Sequence, residues 1–284
     1  MRLVAPAPKT SNRRRVPFCC CRCYPGSAYG DVDPLRRDEN LLRTAIISDL
    51  HANLPAAEAV FERIRHLDID RIVCLGDVVG YGANPNEVCD LVRTHADITI
   101  VGNHDAAVSG RMDYTNYYQA AREALDWTSK VLDEDHRAWL KALPYSVEDQ
   151  GLCFVHGSPI FPEAFDYVFN LELARAHCRY AGRLSWVTFM GHTHLTRSWR
   201  VNAGGAWNMP LAPFRASERF KYLVTVGSVG QPRDYDPRAC FVVFDSETQR
   251  IEHLRVPYDI KTAGDRIRAA GLSDHFARRL ARGV

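Results

Sequence analysis

The sequence predicts an α/β fold in which two packed, mixed β-sheets are flanked by helices. Three observations predict it. The first half of the chain alternates short β-branched runs with amphipathic segments of helical period. Toward the C-terminus, strand-like runs follow one another without a helix between them, which indicates a second sheet packed on the first. A length of 284 residues, with 46% hydrophobic and 25% charged residues, is sufficient for a substantial core.

The first elements are predicted from local patterns. A β-branched run predicts a strand at 44–47, and the helical spacing of apolar residues after it predicts a helix over 54–67. A second strand follows at 71–75. Pro85 opens a further helix that ends at position 95, before a third strand at 98–101. Because each strand ends in polar residues, we expect these ends to meet at one edge of a parallel sheet, where such folds place their ligands.

The later elements complete one predicted domain over residues 42–284. Helices are expected at 117–132 and 134–143, and Pro144 terminates the second of them. Strands are expected at 152–155, 186–190, 222–226, 241–245 and 251–256, with a closing helix at 260–270. We find no internal repeat and no low-complexity linker within this domain.

Residues 1–41 have a different character and predict a disordered, basic, cysteine-rich extension. Positions 1–40 hold eight basic against four acidic residues, five prolines, and four of the nine cysteines in the run 19–23. The alternative is that this stretch is a piece from upstream that has been joined wrongly to the true start of the protein. Cys20 and Cys23 have zinc-site spacing, but no second half follows nearby. Pro17 interrupts the apolar run that a signal peptide would need.

Composition excludes some functional classes and bears on location. The net charge of +2 leaves −2 for the part after position 40, so nucleic acid is not favoured as a partner. No apolar stretch approaches the roughly 20 residues of a membrane helix, and no membrane association is expected. The remaining five cysteines stand singly inside apolar segments, as is typical of buried thiols in a reducing compartment, and we therefore expect a cytoplasmic protein.

Metal-ligating residue types collect where the predicted strands end. Imidazole, carboxylate and amide oxygen are ligands of Mn, Fe, Co or Zn, and no thiolate is present to favour a closed structural site. Any one of these residues alone has an ordinary explanation as a turn or surface residue. Their recurrence after five successive strands predicts a metal site formed by Asp49, His51, Asp77, Asn103, His104, Asp105, His156, His192 and His194.

The same residues form a pattern that resembles the calcineurin-like metallophosphoesterases. The motifs are D-x-H at 49–51, G-D at 76–77, G-N-H-D at 102–105, a single His156, and G-H-x-H at 191–194, in the order of the family. In addition, Gly80-Tyr81-Gly82 and the segment 227–233 resemble a small, single-domain, phosphodiesterase-like branch from bacteria and archaea. The resemblance implies a four-layer α-β-β-α sandwich.

The resemblance also implies a site with two divalent metal ions, which would be Mn, Fe, Zn, Co or Ni, with Mn²⁺ expected to support activity in vitro. The implied ligands of one ion are Asp49, His51 and His194, those of the other are Asn103, His156 and His192, and the bridging ligand is Asp77. His104 would protonate or hydrogen-bond the leaving oxygen, and Asp105 would orient the His104 imidazole. Asn53 and Arg233 are candidate substrate contacts.

The function implied is a metal-dependent phosphohydrolase that cleaves P–O bonds of small phosphodiester or nucleotide-like substrates by metal-activated water. A protein serine/threonine phosphatase shares this metal site but grips the phosphate with arginines, and Arg111, six residues after Asp105, keeps that alternative open. A non-catalytic binding scaffold is a second alternative, although the ligand set is intact. A nuclease is a further one, which the charge does not favour.

Ala52 and the histidines outside the motifs have no predicted role in the site. Ala52 stands where many relatives have glycine, and its methyl group is interpreted as neutral unless the backbone needs a positive φ. Six further histidines lie on predicted helices or polar segments and are interpreted as solvated: His66, His95, His136, His177, His253 and His275.

Overall fold

The computed structural model describes residues 42–284, so the predicted extension over 1–41, with its cysteine run, lies outside the described residues. The strands of the described part are β1 (Arg43–Ile47), β2 (Arg71–Cys74), β3 (Ile98–Thr99), β4 (Ser146–Asp149), β5 (Leu152–Val155), β6 (Val187–Met190), β7 (Thr196–Asn202), β8 (Gly205–Asn208), β9 (Phe214–Arg215), β10 (Lys221–Val226), β11 (Ala239–Asp245) and β12 (Arg250–Val256). The α-helices are α1 (Leu54–Arg65), α2 (Pro85–His95), α3 (Asn103–Val108), α4 (Gln119–Val131), α5 (Glu134–Ala142), α6 (Leu171–Ala176), α7 (Ile260–Ala269) and α8 (Asp274–Leu280). Short 3₁₀ segments occupy Pro162–Ala164 and His177–Arg183.

These strands form two mixed sheets of six strands each. The first has the order β3-β2-β1-β11-β12-β9, and the second has the order β4-β5-β6-β10-β7-β8. Strands β1, β2 and β3 run parallel in the first sheet, and β5, β6 and β10 run parallel in the second. Strand β11 pairs antiparallel with β1 and so joins the parallel part of the first sheet to its antiparallel part.

The two sheets pack face to face through a shared apolar layer. Ile46 of β1 points into this layer, whereas its neighbours Ala45 and Ile47 point to the opposite face, as the two-residue period of a strand requires. Phe189 of the second sheet contacts Phe154 beside it and Phe244 of the first sheet, with both ring-centroid distances at 5.9 Å. Each such fully buried phenylalanine contributes about 1.5–3 kcal/mol to folding.

Helices cover both outer faces. Helices α1 and α2 pack on the first sheet, together with apolar residues of α3, α4 and α5. Helix α6 packs on the outer face of the second sheet, where Ala174 contacts a cluster that includes Trp199. Helix α1 begins after Asn53, whose side chain accepts a hydrogen bond from the backbone N–H of Ala56. The layers are therefore helix, sheet, sheet and helix, which confirms the predicted fold class.

Two predictions about the elements were wrong. Only part of the strand run near the C-terminus belongs to the second sheet, because β10 lies there, whereas β11 pairs with β1 and β12 pairs with β11 in the first sheet. The predicted third strand is also shorter than expected, with only Ile98 and Thr99 in β3. The chain then turns into α3, which begins at the motif residue Asn103.

The interpretation of the six remaining histidines holds only in part. His66, His95 and His275 are exposed, as expected. His136 and His177 are buried, and His136 lies within hydrogen-bond distance of Asn86 and Asp90. His253 is half-buried, with its Nε2 2.9 Å from Thr225 O. The burial of these three rings was missed because it depends on residues that are distant in the sequence.

None of the helices within residues 42–284 combines the length and the apolar character needed to cross a bilayer.

Candidate metal centre

The predicted metal-ligating residues meet where the parallel strands of both sheets end. Asp49 follows β1, Asp77 follows β2, and Asn103 opens α3 after β3 in the first sheet. His156 follows β5 and the motif 191–194 follows β6 in the second sheet. All nine predicted residues are buried. The site is therefore built from two sheet edges rather than one, and each sheet supplies part of the donor set.

The imidazoles of His51, His156 and His194 are held in one tautomer. In each ring, Nδ1 lies beside a backbone carbonyl oxygen: Val79 O at 3.1 Å, Leu75 O at 2.7 Å and Gln231 O at 2.6 Å, respectively. A carbonyl oxygen only accepts, so each Nδ1 must carry the hydrogen. In the neutral ring the Nε2 atom then presents a lone pair to the centre of the cluster, as in metal-ligating histidines.

The Nε2 atoms converge on one another and on carboxylate oxygens. His51 Nε2 lies 3.1 Å from His194 Nε2, and His194 Nε2 lies 3.2 Å from Asp49 Oδ1. His156 Nε2 lies 3.3 Å from Asp77 Oδ2. Two neutral imidazole lone pairs at this distance repel each other, whereas a cation between them would accept both. The donors present therefore fit a bound metal ion.

Burial and neighbouring charges shift the pKa values of these groups. Burial lowers the pKa of both His51 and His194, and each ring is neutral near pH 7. Burial acts to raise the pKa of Asp77, but His156 and His104 outweigh it and hold the value well below the usual range. Burial acts to lower the pKa of His156, but Asp77 and Asp49 outweigh it and raise the value to about 9, so this ring must release a proton before it can ligate a metal ion. The site thus combines ionised carboxylate with neutral imidazole at His51 and His194.

Three groups of donor atoms have the proximity that a metal ion needs, with the atoms of each group within 4.8 Å of one another. The groups are Asp49–His51–His194, His51–Asp77–His104, and Asp77–His156–His192. The second group shares one residue with each of the others, so the three form one continuous cluster. Asn103 adjoins the third group, because its Oδ1 lies 3.1 Å from His156 Nε2.

Tyrosines that sequence analysis did not assign support the cluster. Tyr117 Oη accepts a hydrogen bond of 2.7 Å from Asn103 Nδ2, which turns the Asn103 oxygen toward the donors. The Tyr167 ring stacks on His192 with centroids 3.8 Å apart. The Tyr81 ring packs against the His104 ring with centroids 4.4 Å apart. Of these three tyrosines, only Tyr81 had a sequence signal, its place in Gly80-Tyr81-Gly82.

The expected contact between Asp105 and the His104 ring is not formed. Asp105 Oδ1 accepts from the backbone N–H of Val79 at 3.2 Å, and Oδ2 accepts from that of Gly102 at 3.1 Å. His104 Nδ1 is buried without a hydrogen-bond partner among the residues that the structure describes. Asp105 therefore positions two loops of the site and does not orient His104, which corrects the prediction.

The His104 side chain is instead positioned by close packing. Gly80 adopts a φ of +90°, which is typical of glycine, and a Cβ added there would lie 2.4 Å from His104 Nδ1. The ring of His51 packs against the ring of His104, with centroids 4.9 Å apart. Burial lowers the pKa of His104 to about 4, so the ring is neutral near pH 7.

Of the two candidate substrate contacts, Asn53 has a structural role. Its Nδ2 donates to Gly230 O at 2.7 Å and to Tyr258 Oη at 3.4 Å, while its Oδ1 caps α1. Both amide hydrogens are used within the protein, so this part of the prediction is not supported. Arg233 lies near the cluster, with its guanidinium 5.8 Å from the centroid of the Tyr81 ring.

Arg111, the residue that kept the protein phosphatase alternative open, is used elsewhere. Its Nη1 donates to Leu143 O at 2.6 Å and to Lys141 O at 3.2 Å. Its guanidinium lies over the Tyr145 ring at 4.2 Å. The observation that favoured this alternative therefore finds no support in the structure.

Ala52 requires a correction as well, because its backbone adopts φ +51°. Its N–H donates to Val78 O at 2.9 Å and its carbonyl oxygen accepts from Asn84 N at 3.0 Å, which fixes this conformation. Five of the predicted ligand or catalytic positions share a positive φ: Asp49, His51, Asp77, His192 and His194. Such strain concentrates at functional sites. The methyl group of Ala52 is therefore not neutral.

We expect Ala52→Gly to raise the free energy of unfolding by about 1 kcal/mol. A left-handed conformation costs about 1–2 kcal/mol in a residue with a Cβ, and glycine removes this cost. Part of the gain is offset because glycine also increases the conformational entropy of the unfolded chain. Urea denaturation with chelator present measures this change. Ala138→Gly, at an exposed position inside α5, is the matched control and should instead lower stability by about 1 kcal/mol. Equal losses in both variants would contradict the assignment of strain to Ala52.

The fold and the donor cluster together define a class of protein. A family model described as a calcineurin-like phosphoesterase superfamily domain matches residues 42–249. The chain belongs to the calcineurin-like phosphoesterase superfamily, which confirms the resemblance identified from the motifs. Membership in this family indicates a hydrolase that acts on phosphoesters.

Individual relatives agree with this assignment. An uncharacterised protein of Methanocaldococcus jannaschii is 38% identical over 243 residues, which cover 83% of this chain and 96% of the relative. The crystal structure of a metallophosphoesterase from Sphaerobacter thermophilus is similar with a TM-score of 0.75 and 37% identity, covering 86% of this chain and all of that one. A hypothetical protein of Pyrococcus horikoshii shares the fold with a TM-score of 0.67 and 22% identity, over 85% of this chain and 98% of that one.

Proposed function

We propose that the chain is a phosphohydrolase that uses two divalent metal ions to hydrolyse P–O bonds in phosphodiester or nucleotide-like substrates. The observation that carries this proposal is the approach of His51 Nε2 and His194 Nε2 to 3.1 Å while both Nδ1 atoms face carbonyl oxygens. Asp49 Oδ1 provides an anionic donor beside the same two atoms. The metallophosphoesterase of Sphaerobacter thermophilus, at 37% identity, supports the same reaction class.

The proposed donor sets follow from the motifs and from the distances within the cluster. One ion would be held by Asp49, His51 and His194, the other by Asn103, His156 and His192, and Asp77 would contact both. When bound, two such ions offset the charge of the phosphate oxygens and lower the pKa of a water molecule so that hydroxide is available near neutral pH. Nitrogen and oxygen donors of this kind suit Mn, Fe, Zn, Co or Ni, and Mn²⁺ is the ion we would supply first.

The chain itself supplies the remaining chemistry. The backbone N–H of His104 donates to Asp77 Oδ1 at 2.8 Å, which ties the proposed catalyst to the proposed shared ligand. The neutral His104 ring would donate a hydrogen bond to the leaving oxygen as negative charge develops on it. Arg233, held at Gln231 Oε1 by its Nη2 at 2.8 Å, would attract the phosphate from the side of Tyr81.

We expect the purified protein with Mn²⁺ to hydrolyse phosphodiesters and nucleotide-like substrates, to lose activity in chelator, and to regain it when Mn²⁺ is restored. The assay compares bis-aryl and mono-aryl phosphates, cyclic nucleotides, dinucleoside polyphosphates and a phosphopeptide, and elemental analysis counts the bound metal. Turnover confined to the phosphopeptide would favour a protein phosphatase instead. Metal-free protein without turnover would favour a binding scaffold.

A further inference from the structure

A cavity of about 520 Å³ lies beside the metal centre, between the loop after β5 and the helical segment 171–183. This volume is within the range of about 300–1,000 Å³ that is usual for small-molecule sites. Its lining includes four aromatic side chains, Phe161, Tyr167, Phe169 and Tyr180. None of these residues belongs to the predicted donor set, so the cavity needs its own explanation.

Three of the lining aromatic residues are exposed to an unusual degree. Phe161 is 67% exposed, Tyr167 is 49% exposed and Phe169 is 46% exposed, and all three belong to one loop. A single exposed apolar side chain is ordinary, but a group of them at the mouth of a cavity marks a binding site. The rings of Tyr167 and Phe169 lie edge to face at 6.5 Å, which presents two ring surfaces at different angles to an incoming group.

The cavity adjoins the metal centre. Tyr167, which lines the cavity, stacks on the proposed ligand His192 with an interplanar angle of 15°. Phe165 in the same loop contacts the His156 ring at 5.9 Å, and Ser158 of the cavity is two residues after His156. A phosphate at the metal centre therefore has the cavity directly beside it, within reach of a group attached to that phosphate.

The two buried polar side chains of the cavity wall, Ser158 and His177, are paired with each other. His177 Nδ1 donates to Leu173 O at 2.9 Å, so its Nε2 accepts from the Ser158 hydroxyl, also at 2.9 Å. Ser158 Oγ in turn accepts from the backbone N–H of Ile160 at 3.1 Å. The charged groups of the lining, Asp166 and Arg179, are exposed. The buried part of the wall thus makes no demand for hydrogen bonds from an occupant, and a group that binds by stacking satisfies it.

The backbone of the loop is held in a sparsely populated conformation. Phe161 and Phe165 have φ values of +58° and +53°, although neither is glycine. Each such residue costs about 1–3 kcal/mol, and such strain concentrates at ligand sites. Ser158 N donates to Asp166 O at 2.9 Å and closes the loop around these two residues. The loop is therefore shaped in advance of binding.

We propose that this cavity binds a planar aromatic ring carried by the phosphoester substrate, and that it thereby selects aromatic over aliphatic esters. The inference rests on the proposed function for the phosphate end of the substrate. The ring is a nucleobase or an aryl group, since stacking accepts any planar ring. Discrimination comes from the side chains of the loop, with Phe169 and Phe161 as specificity-determining residues.

The test compares kcat/KM for a nucleoside-containing phosphodiester, an aryl phosphodiester and a dialkyl phosphodiester. We expect Phe169→Ala and Phe169→Leu to lower the ratio of aromatic to dialkyl kcat/KM about tenfold, since loss of one stacked ring costs about 1–3 kcal/mol. Phe169→Leu keeps apolar volume and guards against misfolding. Leu211→Ala removes an exposed apolar side chain outside the cavity and should leave the ratio unchanged.

A second measurement is independent of catalysis. Adenosine, which carries no phosphate, is titrated into protein in chelator and followed by calorimetry and by ligand-observed NMR. We expect binding to the unchanged protein that weakens about tenfold in Phe169→Ala. Binding without turnover of any phosphoester would sink the proposed function and leave the ring site standing. A fall in the ratio for the aryl ester alone would identify the ring as aryl.

The ring site would be overturned, and the proposed function kept, by two results together. These are turnover with equal kcat/KM for aromatic and dialkyl esters, and a ratio of aromatic to dialkyl kcat/KM that is the same in the Phe169 variants as in Leu211→Ala. Unchanged adenosine affinity in Phe169→Ala and Phe169→Leu would equally exclude Phe169 from the site.

Discussion

Replacing Asp77 with alanine is expected to remove bound metal and phosphoesterase activity together. Asp77 belongs to two of the three donor groups, and its Oδ2 lies 3.3 Å from His156 Nε2 and 3.7 Å from His51 Nε2. Alanine removes the charge that several imidazoles surround. Loss of a residue that only supports a metal ligand lowers metal affinity about 10- to 100-fold. Because Asp77 is proposed as a direct ligand of both ions, its loss should lower metal affinity by more than this. Elemental analysis and turnover are measured on the same preparation.

A more conservative variant separates metal loss from misfolding at this position. Asp77→Asn keeps an oxygen that accepts from His104 N while it removes the charge, so the loop should retain its conformation. We expect the asparagine variant to unfold cooperatively and to lose metal as well. Asp135→Asn, at an exposed position on α5, is the matched control. Two metal equivalents bound to Asp77→Asn would contradict the shared-ligand assignment.

The second large effect is expected from His104→Ala, which should retain the metal ions but lose turnover by about 10²- to 10⁴-fold, the usual contribution of a positioned proton donor. The ring lies against Tyr81 and His51 with a buried Nδ1 that has no partner in the described part of the chain. Metal content and kcat are measured in parallel.

This variant also distinguishes whether His104 acts on the leaving oxygen or ligates a metal ion. Both roles need testing because a ring nitrogen of His104 lies within 4.8 Å of ligand atoms of His51 and Asp77. Retained metal with a reduced kcat supports the role at the leaving oxygen. Lost metal would make His104 a ligand, and unchanged kcat would exclude it from the reaction. His66→Ala, at an exposed histidine on the protein surface, controls for the effects of substitution alone.

The local pattern of the sequence carries the positions of the donor residues well. Each predicted strand is a short apolar run, and the run stops where a polar motif begins, so Asp49, Asp77 and His156 could be placed at strand ends before any distance was known. The fold class follows from the order of these runs. Local periodicity does not predict which strands pair, since β11 pairs with β1 although the paired residues Arg43 and Asp245 are 202 positions apart in the chain.

Other errors concern properties that depend on the path of a loop. Asp105 was expected beside the His104 ring, but its carboxylate is satisfied by the N–H groups of Gly102 and Val79, one of which lies in a different loop. The left-handed backbone of Ala52 is imposed by hydrogen bonds to Val78 and Asn84. Neither constraint leaves a periodic signal, because both arise only when separate loops come together.

The placement of β11 between β1 and β12 has a consequence for synthesis. During translation, β1, β2 and β3 emerge early, yet the edge of β1 stays open until residues 239–245 leave the ribosome. An open edge of a largely apolar strand is a template for pairing with another chain. Nascent chains arrested before position 239 should therefore aggregate, and chaperones that shield strand edges would act on this protein from the emergence of β1 until β11 has left the ribosome.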